Sequence, residues 1–438
     1  MFKIFNKRFF IVFLVLTVTV VFSAFLFSCQ NDPGEEKAAG ASLKKLKALL
    51  PEHPYGDLLI SLLPEFERDT GIKVEIEQLN ENELTEKQMN AIADGVFAAD
   101  VFMTRPMTET LLFLKSDWMT PLDGYDFSDY PPNTIEMGLS GGKAHFVPLI
   151  VEWQVLYYRK DLLEAAGLGV PADFGELEDA AKILNKDGIA GFASRGAGFP
   201  AVSQVSGFIY NFGGRYIENG AAAFDSPEAV EAMRLYGRIL SVSGPNGIGE
   251  MSWSEIMAIF QAGNLAMWTD GSVFYGQLID PDVSRVPAEN VGVAKLPRGP
   301  ASDEPYIITA WGMSISPMTR DIDSSMEFLK WATSGEIAKK AMTANIPMAR
   351  SSVWSDPSVT VHINPEIVET MIHASQHGYS YAMPFMTSIV KTRELIGEVI
   401  SESIYTGGTS PRLQELARQK AAEVNDLLKA DGEYGSAR

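Results

Sequence analysis

The sequence predicts an α/β protein built on a largely parallel sheet with helices on its faces. Three observations lead there. Segments with helical and strand periodicity alternate through the first three quarters of the chain. The chain has 438 residues, enough for two or three domains. Apolar residues make up 46% and charged residues 21%, with 24 Phe, 14 Tyr and 7 Trp, which suits a large packed core and excludes a mainly disordered chain.

Residues 43–50 carry Leu43, Leu46, Leu49 and Leu50, a spacing that by itself suits a helical turn. Residues 57–69 place Leu58, Leu59, Leu62, Leu63 and Phe66 on one helical face, and Thr70-Gly71 stops that helix. Residues 72–76 alternate as a strand does. Residues 84–93 read as a helix ended by Gly95, and 99–103 as a buried strand. In the middle of the chain, 154–158 are strand-like, 162–166 form a short helix closed by Gly167, and 174–184 are amphipathic. Ser226-Pro227-Glu228 is a helix start, with Ser as cap and Pro at the first helical position. Residues 253–262 are helical up to Gly263, whereas 265–269, 291–296 and 306–316 read as strands. A loop spans 298–303, and from Ser324 onward the pattern is almost wholly helical.

The formal net charge is −20, which disfavours binding to phosphate backbones, so no nucleic-acid partner is expected. One cysteine, Cys29, excludes an intrachain disulfide and a multi-cysteine metal site. Lys3, Lys7 and Arg8 precede an uncharged run over residues 9–28, long enough to span a bilayer as an uncleaved anchor. Cys29 stands where that run stops, after Leu26, Phe27 and Ser28, and this resembles a bacterial lipobox. Residues 1–28 are then a lipoprotein signal peptide, Cys29 the lipidated residue, and the polar 29–42 stretch a flexible tether. The expectation is an exported chain, lipid-anchored to a cell-envelope membrane, its soluble part periplasmic or extracellular.

Several segments together resemble the extracellular solute-binding proteins of sugar ABC transporters, above all the maltose-type branch of family 1. The first is Phe66-Glu67-Arg68-Asp69-Thr70-Gly71-Ile72-Lys73-Val74; the second is Ala93-Asp94-Gly95 leading to Ala99-Asp100-Val101. The most specific is Val147-Pro148-Leu149-Ile150-Val151-Glu152-Trp153-Gln154-Val155-Leu156-Tyr157-Tyr158-Arg159-Lys160-Asp161-Leu162. Phe224-Asp225-Ser226-Pro227-Glu228-Ala229, Gln261-Ala262-Gly263-Asn264-Leu265-Ala266-Met267, Leu296-Pro297-Arg298-Gly299, Phe328-Leu329-Lys330-Trp331 and Ile346-Pro347-Met348-Ala349-Arg350 follow in order. The ordered series, over roughly residues 43–430, carries the resemblance. It implies a two-lobed periplasmic-binding-protein-like fold of type II, with the ligand cleft between lobes joined by hinge crossings. It also makes residues 43–50 the first strand. The N-terminal lobe is then 43–150 with 309–350, and the C-terminal lobe 151–308 with 351–438.

A sugar offers hydroxyls to carboxylates and guanidinium groups, and apolar ring faces to aromatics. Glu152 and Trp153 fall in the first crossing segment, where the family often places a hydroxyl-binding carboxylate; the alternative is a solvated hinge charge beside a buried indole. Asp270 is a site candidate or a turn cap. The family's stacking Trp position is occupied here by Val273, so Trp268 or Phe274 is left to stack. Trp311, in the second crossing, is a floor aromatic or a core indole. Arg350 and Arg105 either contact ligand or are solvated, and Glu52 and His53 face the cleft if residues 43–50 are a strand. His373 and His377 are four apart on a helix but lack the carboxylate of a zinc motif, so no metal and no cofactor are expected.

Two function classes follow. One is capture of a sugar, oligosaccharide or polyol by hinge closure and its delivery to ABC permease subunits by a monomeric, non-enzymatic binding protein. The same fold binding a polyamine or another small solute is a variant of it. The other is a secreted glycoside hydrolase with Glu152 and Asp270 as its carboxylate pair.

Overall fold

A computed structural model describes residues 44–436, apart from 305, 381 and 382. Cys29, expected to carry lipid, the apolar run before it and the expected tether lie outside the described residues. Seven strands form the main sheet: β1 (Lys44–Pro51), β2 (Ile72–Leu79), β3 (Val101–Thr104), β4 (Val147–Arg159), β5 (Met267–Gly271), β6 (Val291–Lys295) and β7 (Ile307–Ile315). Across the sheet they run β6-β4-β7-β3-β1-β2, with β5 also paired to β4.

β1 is a strand despite its helix-like leucine spacing. It lies between β2 and β3, and Leu46, Ala48, Leu49 and Leu50 are all buried. A strand covered on both faces loses polar alternation and reads as an apolar run. β1 pairs in parallel with β2 and β3, whereas every pairing among β4, β5, β6 and β7 is antiparallel, as is β7 with β3. The expected largely parallel sheet is therefore only one third of the architecture. The chain runs out along β4 and back along β7, and a pair that crosses in opposite directions must be antiparallel.

β4 is longer than its sequence pattern predicts, because twelve of its thirteen residues are buried and no polar alternation marks its first half. That half pairs with β7; the second half lies between β5 and β6. The strand thus belongs to two half-sheets at once.

The helices that cover these layers include α1 (Pro54–Thr70), α2 (Glu81–Asp94), α3 (Phe174–Leu184), α4 (Gly198–Asn211), α5 (Pro227–Ser243), α6 (Trp253–Gln261), α7 (Ile322–Ala332), α8 (Pro365–His377), α9 (Ile389–Tyr405) and α10 (Leu413–Ala430). α1, α2 and α7 pack on β1, β2 and β7. α4, α5, α9 and α10 form a bundle with α3 against α5, and α8 lies on β4 and β6. The caps follow local chemistry. His53 accepts from the Tyr55 backbone N–H ahead of Pro54, and Gly71 closes α1 with φ 72°, a left-handed conformation that Gly reaches without Cβ strain. Ser226 accepts from the Ala229 N–H at the start of α5.

α4 has no counterpart in the sequence pattern. Residues 201 to 211 of this helix are buried without interruption, so no polar face is left to reveal a 3.6-residue period. Among the described residues no helix is long and apolar enough to cross a membrane.

Candidate functional site

Where β4 and β7 run side by side, a cavity of about 830 Å³ opens, and its lining comes from segments on both half-sheets. Glu152 on β4 and Trp311 on β7 both line it. The β4–β7 register slips on either side of residues 309–311, and such irregularities re-aim side chains. Gly312 is required next to one of them: a Cβ there would sit 2.0 Å from the Phe146 ring.

Glu152 is only 8% exposed. Burial pushes its carboxyl up to about 8; Arg195 opposes that shift and Asp270 adds to it. The group therefore keeps its proton near neutral pH and presents an O–H donor together with an acceptor, the two roles a hydroxyl ligand can match.

Arg195 enters the same cavity and is held from behind. Its Nε and Nη2 donate to the two Asp270 oxygens at 2.9 and 2.5 Å. Asp270, fully buried at the end of β5, also accepts from Gln204 Nε2 at 3.1 Å and from the Gly271 N–H at 2.8 Å. Burial works against the Arg195 charge, but the Asp270 carboxylate outweighs it and holds the guanidinium pKa above its ordinary value. A bidentate pair of this kind fixes the plane of the guanidinium as well as its charge.

On the opposite wall, Arg105 lies 5.5 Å over the Trp311 ring and is tied to Glu81 (2.9 Å), Thr85 (2.8 Å) and Glu109 (3.4 Å). His53 lines the same wall. Burial lowers its pKa to about 4 against the pull of Asp57, so the imidazole is neutral, with Nδ1 accepting from Tyr55 N.

Aromatics close the remaining side. Trp253 opens α6 directly after Ser252, whose backbone N–H donates to the Glu255 carboxylate at 3.0 Å, so the local cap sets where the indole stands. Its ring stacks on Phe274 (5.2 Å, 18°), and Phe274 stacks in turn on Trp268 (5.3 Å, 25°). Trp253 and Phe274 line the cavity, as do Phe199 and Val273.

Of the residues singled out in the sequence, Glu152, Trp311, Arg105 and His53 are thus brought together. Asp270 sits behind Arg195, and Trp268 behind Phe274, fully buried. The other three lie elsewhere. Trp153 follows Glu152 on a strand and so points to the other face, where its ring meets Gly378. Arg350 bonds Asp129 and the Thr333 carbonyl, both at 2.7 Å, and lies over Tyr130. Glu52 is exposed, its N–H bonded to Leu79 O. The sequence reading missed Arg195, Arg393, Trp253, Phe199 and Glu81. Only Trp253 had a local signal, the Ser252–Glu255 helix start. The rings of His373 and His377 lie tilted at 43°, 4.7 Å apart between centroids, and among the described residues no group of three or more His, Cys, Asp or Glu could hold a metal.

Two half-sheets that share crossing strands, with a polar and aromatic cleft at the crossing, define a hinged two-lobed solute-binding protein. The chain belongs to the bacterial extracellular solute-binding protein family, whose model matches residues 51–339. The mannitol-binding protein of Pseudomonas aeruginosa is 30% identical over 295 residues, covering 64% of this chain and 67% of that protein. A solute-binding protein from Agrobacterium radiobacter K84 in complex with ribitol superposes with a TM-score of 0.76 at 24% identity, over 88% of this chain and 98% of the other. One from Agrobacterium vitis S4 with bound D-mannitol gives 0.72, also at 24% identity, over 89% and 99%.

Proposed function

We propose that this protein is the substrate-binding component of an ABC importer, that it captures a polyol or small sugar between its lobes, and that it hands the ligand to membrane permease subunits. The observation that carries this reading is the cleft at the β4–β7 crossing. There a protonated carboxyl, two oriented guanidinium groups and a neutral imidazole face an aromatic wall, which is the complement of a compact, hydroxyl-rich molecule. The mannitol-binding relative supports the same ligand class. The lobes in this reading are 43–150 with 309–350 and 151–308 with 351–438, and they close on the ligand by rotation about the crossings. Cys29 carries the lipid that keeps the exported protein at the membrane.

A polyamine fits poorly, because Arg393 lines the cleft without an ion-pair partner among the described residues and would repel it. A hydrolase built on Glu152 and Asp270 fits poorly too: Asp270 is fully buried and both of its oxygens are engaged by Arg195. Calorimetric titration against polyols, monosaccharides, maltodextrins and polyamines tests the reading. Stoichiometric binding of a polyol or sugar without product is the expected result; binding of polyamines alone, or release of a cleaved product, would overturn it.

A further inference from the structure

The three guanidinium groups of the cleft are not equivalent. Arg105 is neutralised by Glu81 and Glu109, and Arg195 by Asp270. Arg393, from the first turns of α9, has no carboxylate within ion-pair distance among the described residues. Its Nη2 donates to the Phe199 carbonyl at 3.1 Å, its plane lies 3.8 Å over the Phe199 ring, and its Nε is buried without an acceptor.

Burial lowers the Arg393 pKa to about 10, and Arg195 and Arg105 push in the same direction, yet the group stays charged at neutral pH. Of the acids that line the cleft, Glu81 is paired with Arg105, Glu152 keeps its proton and Asp280 accepts from the Asp282 N–H at 2.9 Å in its own turn; among the described residues none forms an ion pair with Arg393. A partly buried guanidinium without an ion-pair partner is costly to keep in a folded protein. It is more costly still to surround it with two others.

We propose that Arg393 is the counter-charge for a carboxylate on the ligand, so that the substrate class is an acidic sugar: a polyol or sugar framework carrying one carboxyl group, as in an aldonic or uronic acid. This rests on the sugar and polyol reading above and narrows it. A guanidinium fork with free N–H groups binds a carboxylate in two-point fashion. The protonated Glu152 adds a donor where an ionised carboxylate would repel the anion. One unpaired positive charge also matches one carboxylate better than a doubly charged phosphate.

The test is calorimetric titration of the detergent-solubilised full chain with matched pairs: D-mannitol and D-mannonate, ribitol and D-ribonate, D-glucose and D-glucuronate, with D-mannitol 1-phosphate alongside. The acid of at least one pair should bind tenfold or more tightly than its neutral partner. Arg393→Gln should bring that ratio close to one, and Arg393→Lys should keep part of it. Neutral members binding as well as or better than the acids in every pair would overturn the inference while leaving polyol capture in place. Tight binding of the phosphate alone would overturn the carboxylate assignment. No binding by any member would overturn both. If Arg393→Gln does not fold, the wild-type ratios decide.

Discussion

Glu152 stores a pH dependence that can be read without knowing the ligand. Its carboxyl titrates near 4.5 in an unfolded chain and near 8 in the native cleft. Between those values the native state holds a proton that the unfolded state has lost, so stability falls as pH rises, by at most about 1.4 kcal/mol per pH unit. Glu152→Gln removes the titrating group and keeps the shape. Melting temperatures at pH 5 and pH 8 should show wild type losing ground to the variant as pH rises; a constant gap would mean the carboxyl is not desolvated as described. Asp270 gives the complementary case. Asp270→Asn leaves Arg195 charged, mostly buried and unpaired, a loss of about 3–5 kcal/mol for buried pairs broken on one side. Denaturant unfolding checks the size, and a change under 1 kcal/mol would show that water already compensates the guanidinium.

At the scale of elements, the aromatic stack separates binding from stability. Trp253 stands at its open end, 39% exposed, and Trp268 at its buried end. Trp253→Ala should weaken ligand binding by roughly tenfold with a small change in melting temperature, since aromatic anchors dominate binding. Trp268→Ala should cost about 3–5 kcal/mol of stability through the cavity it leaves. Equal destabilisation by both would make the stack purely structural. The same elements show what a sequence can disclose. Amphipathic helices such as Phe174–Leu184 were legible because one face is wet. The buried helix Gly198–Asn211 was not, because it has no wet face. Glu152 and Trp311 were legible through the crossing segments they occupy. Arg195 and Arg393 were not: one sits in a loop after a short bridge, the other on a helix two hundred residues later, and only tertiary packing brings them to one cleft.

For the whole molecule, the crossing of β4 and β7 sets what can move. If the lobes close on ligand, few dihedrals near these strands need change, and small-angle scattering should give a smaller radius of gyration at saturation. An unchanged curve with a calorimetrically confirmed ligand would leave a rigid cleft. The anchor is testable separately. Mass spectrometry of the wild-type protein from membranes should find a lipid-modified N-terminus at Cys29, and Cys29→Ser should abolish it; an intact stretch from Met1 through Cys29 in wild type would refute the lipobox.

The strand order has a kinetic consequence. β7 is inserted between β4 and β3, so neither half-sheet can be joined to the other until β7 exists. Synthesis reaches β7 roughly 150 residues after β4, on the order of ten to thirty seconds at ordinary elongation rates. Pairings so distant along the chain also close slowly once they become available. A nascent chain with this topology cannot finish its sheet early: whatever it does before β7 emerges, it does with its two half-sheets unjoined.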